Sequence, residues 1–168
     1  MALHFSKEEF KKRKSKTLNS MKEHNLDALL MFRQESMFWL TGYDTFGYVF
    51  FQTLILDQKG NVILLTRAPD LRQAQNTSNI EDIRIWVDKN ESNPTDNLKV
   101  ILNELELKGK KIGIEYEAYG MTGRNALKLN KSLDNYCDVE DQSELITKHR
   151  VIKSQEEIVY VKKAAELA

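Results

Sequence analysis

The residue types that most often carry catalysis are few and scattered in this chain. Its three histidines, His4, His24 and His149, lie far apart and form no H-x-x-x-H or E-x-x-H pattern, the spacings that bring two metal ligands to one helix face. Cys137 is the only cysteine and has no histidine at a spacing that marks a thiol–imidazole pair. It reads as a small buried hydrophobe. Glu115 and Glu117 are two apart on a strand-like run, so they share a face, as a general acid and base can. No basic or metal-binding residue accompanies them, and Glu115 is better read as an acceptor of hydrogen bonds from a neighbouring loop. The segment Thr41–Phe51 (TGYDTFGYVFF) offers more. It sets Tyr43, Phe46, Tyr48, Phe50 and Phe51 around Gly42 and Gly47, with Asp44 as its single charge. Aromatic rings give large contact area at low entropic cost, and glycines let backbone approach a ligand closely. Core packing on a sheet face is the favoured reading for most of these rings. Tyr43, Asp44 and Tyr48, nearest the loop, are the candidate binding or gating residues.

The composition narrows what such a segment could serve. In 168 residues, 25 Lys plus Arg balance 25 Asp plus Glu, so no overall field recruits nucleic acid or an anionic membrane. The basic run Lys11-Lys12-Arg13-Lys14 reads as the solvated face of a helix. A lone cysteine fits a reducing compartment, no secretory leader is visible, and no apolar run approaches the ~20 residues of a membrane span, so a cytoplasmic protein is expected.

The elements that must position the aromatic segment follow from periodicity. Ser6-Lys7-Glu8-Glu9 has capping-box spacing, and the apolar face behind it predicts a helix over 7–24. The run 27–32 (DALLMF) is apolar throughout, as a strand covered on both faces would be. Residues 46–56 and 61–65 predict a hairpin turning at Gly60. Further along, the patterns predict a short helix at 69–76, a strand at 83–87, a helix opening at Asn93-Pro94, a strand at 111–116, a helix at 122–133 and a strand at 136–139. This alternation specifies an α/β domain of three layers, a mixed β-sheet flanked by helices. Ser154-Gln155-Glu156-Glu157 is a second capping box, and Ile158, Val161 and Ala165 behind it form an apolar stripe that needs a surface to cover.

Three segments carry a resemblance. Phe38-Trp39-Leu40-Thr41-Gly42-Tyr43 resembles the N-x-x-Y-L-T-G-Y segment of creatinase/prolidase N-terminal domains. His149-Arg150-Val151-Ile152-Lys153-Ser154-Gln155-Glu156-Glu157-Ile158 is similar to their R-x-I-K-S-x-x-E-I junction, and Lys110-Lys111-Ile112-Gly113-Ile114-Glu115 to a recurrent strand between the two. The three occur in the family's order across residues 8–168. The resemblance implies a ribonuclease-H-like domain over 1–150, followed at 151–168 by a linker and the first helix of a catalytic domain. It implies a chain that is inactive by itself, holds no cofactor, and belongs to a metal-dependent Xaa-Pro peptidase or ectoine-hydrolase-like enzyme. The two divalent metal ions of that enzyme would be held by two Asp, one His and two Glu beyond residue 168. It also implies a homodimer acting on a peptide or small amide, with the Tyr43-Asp44-Tyr48 loop closing over the active site. One departure bears on substrate. Where creatinases carry a carboxylate-binding arginine, alignment on Thr41-Gly42 and Asp57 puts Phe50, which cannot form a bidentate pair. The alternative is a free-standing dimeric interaction or small-molecule-binding module.

Overall fold

The computed structural model describes residues 3–168. Helix α1 (Lys7–Glu23) opens on Ser6, whose hydroxyl accepts the Glu9 N–H. The reciprocal half of the expected capping box is absent, because the Glu9 carboxylate turns to Arg13 instead. Strand β1 (Ala28–Met31) is buried on both faces, as its unbroken apolar run predicts. Strands β2 (Thr53–Asp57) and β3 (Val62–Arg67) form the hairpin, and Gly60 supplies the left-handed turn at φ +86°. After α3 (Leu71–Thr77), β4 (Asp82–Trp86), α4 (Pro94–Glu104), β5 (Lys111–Ile114), α5 (Gly123–Leu133), β6 (Asp138–Asp141), α6 (Leu145–Val151) and α7 (Gln155–Leu167) follow.

Three elements differ from the periodicity reading, one of them α6, a helix over Leu145–Val151 that the patterns do not mark. Residues 34–41 form α2 (Gln34–Thr41), where no helix is expected from the sequence. The first arm of the hairpin begins at Thr53 rather than Phe46, because residues 47–49 coil into a 3₁₀ turn. A smaller difference lies at Asn93. It precedes α4 as expected, but its side chain bonds Asp96 and Thr95 rather than capping the helix backbone.

The six strands lie in the order β4-β3-β2-β1-β5-β6. Only β2 runs antiparallel to its neighbours, so β1, β3, β4, β5 and β6 all point the same way. Alternation along the strands divides the interior into two layers. Leu30, Ile55, Leu65, Ile112 and Ile114 face α4 and α5, meeting Leu98, Leu102, Leu129 and Leu133. Leu29, Met31, Leu54, Leu56 and Leu64 face the other side and meet Met21 of α1, Met37 and Leu40 of α2, Ala74 of α3 and Ile146 of α6. Helix α7 stands apart from both layers and buries none of its residues. Among the described residues no helix is long and apolar enough to cross a membrane.

Candidate functional site

Because five strands run in parallel, their carboxyl ends and the loops that follow share one edge of the sheet, the usual place for ligands in open α/β folds. Three of the loops there meet: the β1–α2 turn, the long connection from α2 to β2, and the turn after β5.

Glu115 ties the first and third together. It leaves the end of β5 fully buried, and its Oε2 accepts the backbone N–H groups of Phe32 and Arg33 at 3.1 and 3.0 Å. Its Oε1 accepts the Ser36 hydroxyl at 2.6 Å. A carboxylate thus satisfies the orphan donors at the start of α2, where helix dipole and hydrogen bonding both favour negative charge. Burial opposes them and prevails, pushing the Glu115 carboxyl up to about 7. This is the loop-anchoring role anticipated for Glu115. Its neighbour Glu117 points outward to Arg33, with 2.9 Å between Nη2 and Oε2, so the two glutamates form no acid–base pair.

At its other end α2 stops on Gly42, left-handed at φ +82°. A Cβ there would lie 3.0 Å from the Thr77 carbonyl oxygen and 3.2 Å from the Phe10 ring, so only glycine fits the turn. Tyr43 follows and goes inward. Its ring is fully buried, its hydroxyl donates to Gln52 Oε1 at 2.9 Å, and burial raises the phenol's pKa. Tyr43 is therefore an anchor of the loop, its side chain packed in the layer formed by α1 and α2 rather than displayed. Asp44 is exposed, with its N–H bonded to the Thr77 hydroxyl at 3.2 Å.

From Phe46 onward the chain turns its side chains out. Phe46 is 85% exposed, and Val49 and Phe50 are also exposed, so these are not the sheet-face core expected of an aromatic strand. Only Phe51 of this group returns to the interior, edge-on to Phe32 at 5.3 Å. Close contacts at two glycines, one with a side-chain carboxylate and one with backbone, hold the turn. A Cβ on Gly47 would lie 2.5 Å from Asp70 Oδ2, and one on Gly120 would lie 2.3 Å from the Phe50 carbonyl oxygen. Tyr48 is half-buried and packs edge-on against Tyr119 at 5.6 Å. The Arg67 guanidinium lies 3.4 Å from the Phe50 ring centroid and is held from behind by Asp70 at 3.2 Å.

Two clefts flank this loop. One, of about 460 Å³, has Asp44 and Tyr43 on its wall; the other, of about 420 Å³, has Tyr48 and Tyr119. Gln34, Glu35 and Arg150 line both, so the three predicted residues are gathered at one edge, although Tyr48 faces a different cleft from Asp44. Glu35 and Tyr119 carry no pattern in the sequence that would single them out. Arg150 could have been found, since it opens the R-x-I-K-S run.

The other chemically capable side chains stay dispersed. His24 bonds Ser20 at the end of α1, His4 packs on Phe38, and His149 stacks on Trp39 with its pKa lowered by burial. Burial and the neighbouring Asp138 push the half-buried Cys137 thiol up to about 11, which leaves it protonated and poorly nucleophilic. Among the described residues no three His, Cys, Asp or Glu side chains converge in a group that could hold a metal ion.

Comparison with known proteins agrees with this picture. Residues 13–152 match the family described as Creatinase/Prolidase N-terminal domain. An uncharacterized hydrolase/peptidase of Sinorhizobium fredii is 28% identical over 96% of the chain, and the ectoine hydrolase of Halomonas elongata 26% over 99%. The chain spans 43% of the length of each of these curated relatives. Among solved structures, a recombinant prolidase from Thermococcus sibiricus shares the fold with a TM-score of 0.77 at 24% identity, covering 94% of this chain and 41% of that one. With the family matched across most of its length and the fold shared, this chain belongs to the creatinase/prolidase N-terminal domain family.

Proposed function

We propose that the chain is the non-catalytic front part of a cytoplasmic, metal-dependent hydrolase that cleaves a peptide or related C–N bond. The enzyme would be Xaa-Pro-peptidase-like or ectoine-hydrolase-like. The observation that carries this reading is the exposed aromatic turn 46–50, packed closely against Asp70 and Gly120 beside Asp44 at the carboxyl edge of the sheet. The relatives' names, hydrolase/peptidase and ectoine hydrolase, supply the reaction class. Among the described residues no side chains converge to fit a metal pair, and in this reading residues outside the domain would hold the two divalent ions and carry the bond-breaking step. What it contributes is contact: a homodimer interface and a loop over the active site, with Asp44 and Tyr48 as its tip and Tyr43 as its root. Phe50, in the place of a carboxylate-binding arginine and already stacked on Arg67, argues against creatine as substrate.

The test is to express the gene's whole reading frame beside the 168-residue chain and assay both on Xaa-Pro dipeptides and ectoine with Mn²⁺. The expected result is turnover by the longer product alone, abolished by a chelator and lowered by D44A and Y48A. Chelator-sensitive turnover by the 168-residue chain would overturn the reading. An open frame that stops at residue 168 would leave instead a free-standing binding module.

A further inference from the structure

Helix α7 buries no residue, yet its first two turns are gripped by the opposite end of the chain. The Ser6 backbone N–H and hydroxyl both donate to the Glu156 carboxylate, at 2.9 and 2.6 Å. The Tyr160 hydroxyl donates to the His4 carbonyl at 2.7 Å, and its ring stands edge-on to Phe5 at 5.4 Å. Beneath these contacts lies Arg13, 3% exposed. Its Nη2 is 3.3 Å from Glu157 Oε1, its Nε donates to Glu9 at 2.9 Å and its Nη1 to the Trp39 carbonyl at 2.8 Å. One desolvated guanidinium therefore joins α1, α2 and α7.

None of these contacts is needed to make α7 a helix. Ser154 and Glu157 already form a complete capping box, and Glu157 uses Oε2 for that bond, leaving Oε1 for Arg13. Ser6 is likewise the cap of α1, so the starts of the two helices are fastened to each other. What the contacts add is direction.

We propose that residues 4–13 form a latch that sets the direction of α7 relative to the sheet, with Arg13 at its centre. The latch consists of a few polar bonds, the Arg13–Glu157 ion pair and two edge-on ring contacts of Tyr160, with Phe5 and His4. The Ser6–Glu156 and Tyr160–His4 bonds lie near the surface, where water competes for the same groups and each contributes little net free energy, so these contacts can open while the domain stays folded. Granting the function proposed above, the direction of α7 decides where the remainder of the enzyme sits relative to the aromatic turn. That consequence rests on that reading; the latch itself does not.

The test uses the 168-residue chain and involves no substrate. Spin labels at positions 22 and 166, both exposed, in a C137S background report the distance between α1 and the far end of α7. The variant E156Q/Y160F alters only α7, which contributes nothing to the core. The expected result is one narrow distance distribution in the parent chain and one broadened about twofold or more in the variant, the range of a released helix. The melting temperature should stay within about 2 °C, because no core contact is lost. K162A, on the opposite side of α7, should leave the distribution narrow. A narrow distribution in E156Q/Y160F, or a broad one in the parent, would overturn the latch. So would a melting temperature that fell along with the broadening, since the contacts would then belong to the stability of the fold.

Discussion

The two halves of the loop between α2 and β2 are both aromatic, but they are built on opposite plans. In the first half Tyr43 is fully buried and hydrogen-bonded to Gln52, and Thr45 accepts from both Gln52 and the Gly47 backbone N–H. In the second half Phe46 is 85% exposed, and its backbone N–H is bonded to Gln73. Hydropathy would have sorted them the other way, since phenylalanine is the more apolar ring. Backbone space decides instead. The chain at Gly47 runs close to the Asp70 carboxylate, and the Tyr48 and Phe50 carbonyls close to Gly120, so neither glycine position has room for a side chain and the turn is held close to its neighbours. A loop fastened through its backbone while its apolar side chains face solvent is suited to contact with another surface. The contrast makes one half scaffold and the other display, and it can be tested from both sides.

The largest effect is expected at the root of the scaffold. Glu115→Ala leaves two buried N–H groups and the Ser36 hydroxyl without their acceptor, and should cost about 3 kcal/mol in urea unfolding. Glu115→Gln isolates the charge. The folded carboxyl sits near 7, above its ordinary 4.5, so the folded state holds a proton that the unfolded state releases between those values. The stability contributed by Glu115 is therefore fully present below about pH 4.5, falls as pH rises, and is lost above about pH 7. Relative to Glu115→Gln the wild-type chain should lose up to about 3 kcal/mol across that window. A flat difference would mean that the three donors outweigh burial, and that the anchor works as a permanent carboxylate.

How much of this the sequence reveals depends on whether a side-chain pattern or a tertiary partner decides the outcome. Strand β1 is legible because an unbroken apolar run has few other uses, and the hairpin because Gly60 marks its turn. Helix α2 is not legible. Its residues QESMFWLT carry little helical stripe, and its start is stabilised by a glutamate 79 residues from Ser36. The displayed turn is hidden for the same reason: Phe46 to Phe50 alternates as a strand would, and the contacts that forbid a strand come from Asp70 and Gly120. The sequence marks the neighbourhood of the candidate residues but not which way each side chain turns. Asp44 and Tyr48 lie at the edge of the clefts, whereas Tyr43, next to a glycine in a loop-like run, goes inward because Gln52 and Thr66 supply a buried partner for its hydroxyl.

A smaller effect separates the two kinds of tyrosine. Tyr43→Phe keeps the packed ring and removes only its hydroxyl, leaving Gln52 with its bond from Thr66 at 3.1 Å. A loss of about 1 kcal/mol in urea unfolding is expected. Tyr48→Phe should be neutral, because among the described residues the Tyr48 hydroxyl makes no hydrogen bond and its contact with Tyr119 is between rings. Equal costs at the two positions would place Tyr48 in the scaffold as well.

The smallest effect on stability, and the most telling, is expected at Phe46. Phe46→Ser removes a ring that is 85% exposed and should change unfolding free energy by no more than about 0.5 kcal/mol, as surface substitutions do. A loss of several times that would show the ring packed in solution, and the display half of the comparison would fail. If stability holds, the same variant asks what the display is for. A ring that stabilises nothing in its own domain, yet is exposed on a turn held in place from behind, has its use in whatever docks there. Under the proposed function, F46S in the whole enzyme should lower kcat/KM or weaken dimerisation by light scattering while the melting temperature stays put. Stability and contact would then be separated at one residue, three positions from Tyr43, where a substitution that preserves the ring still weakens the fold.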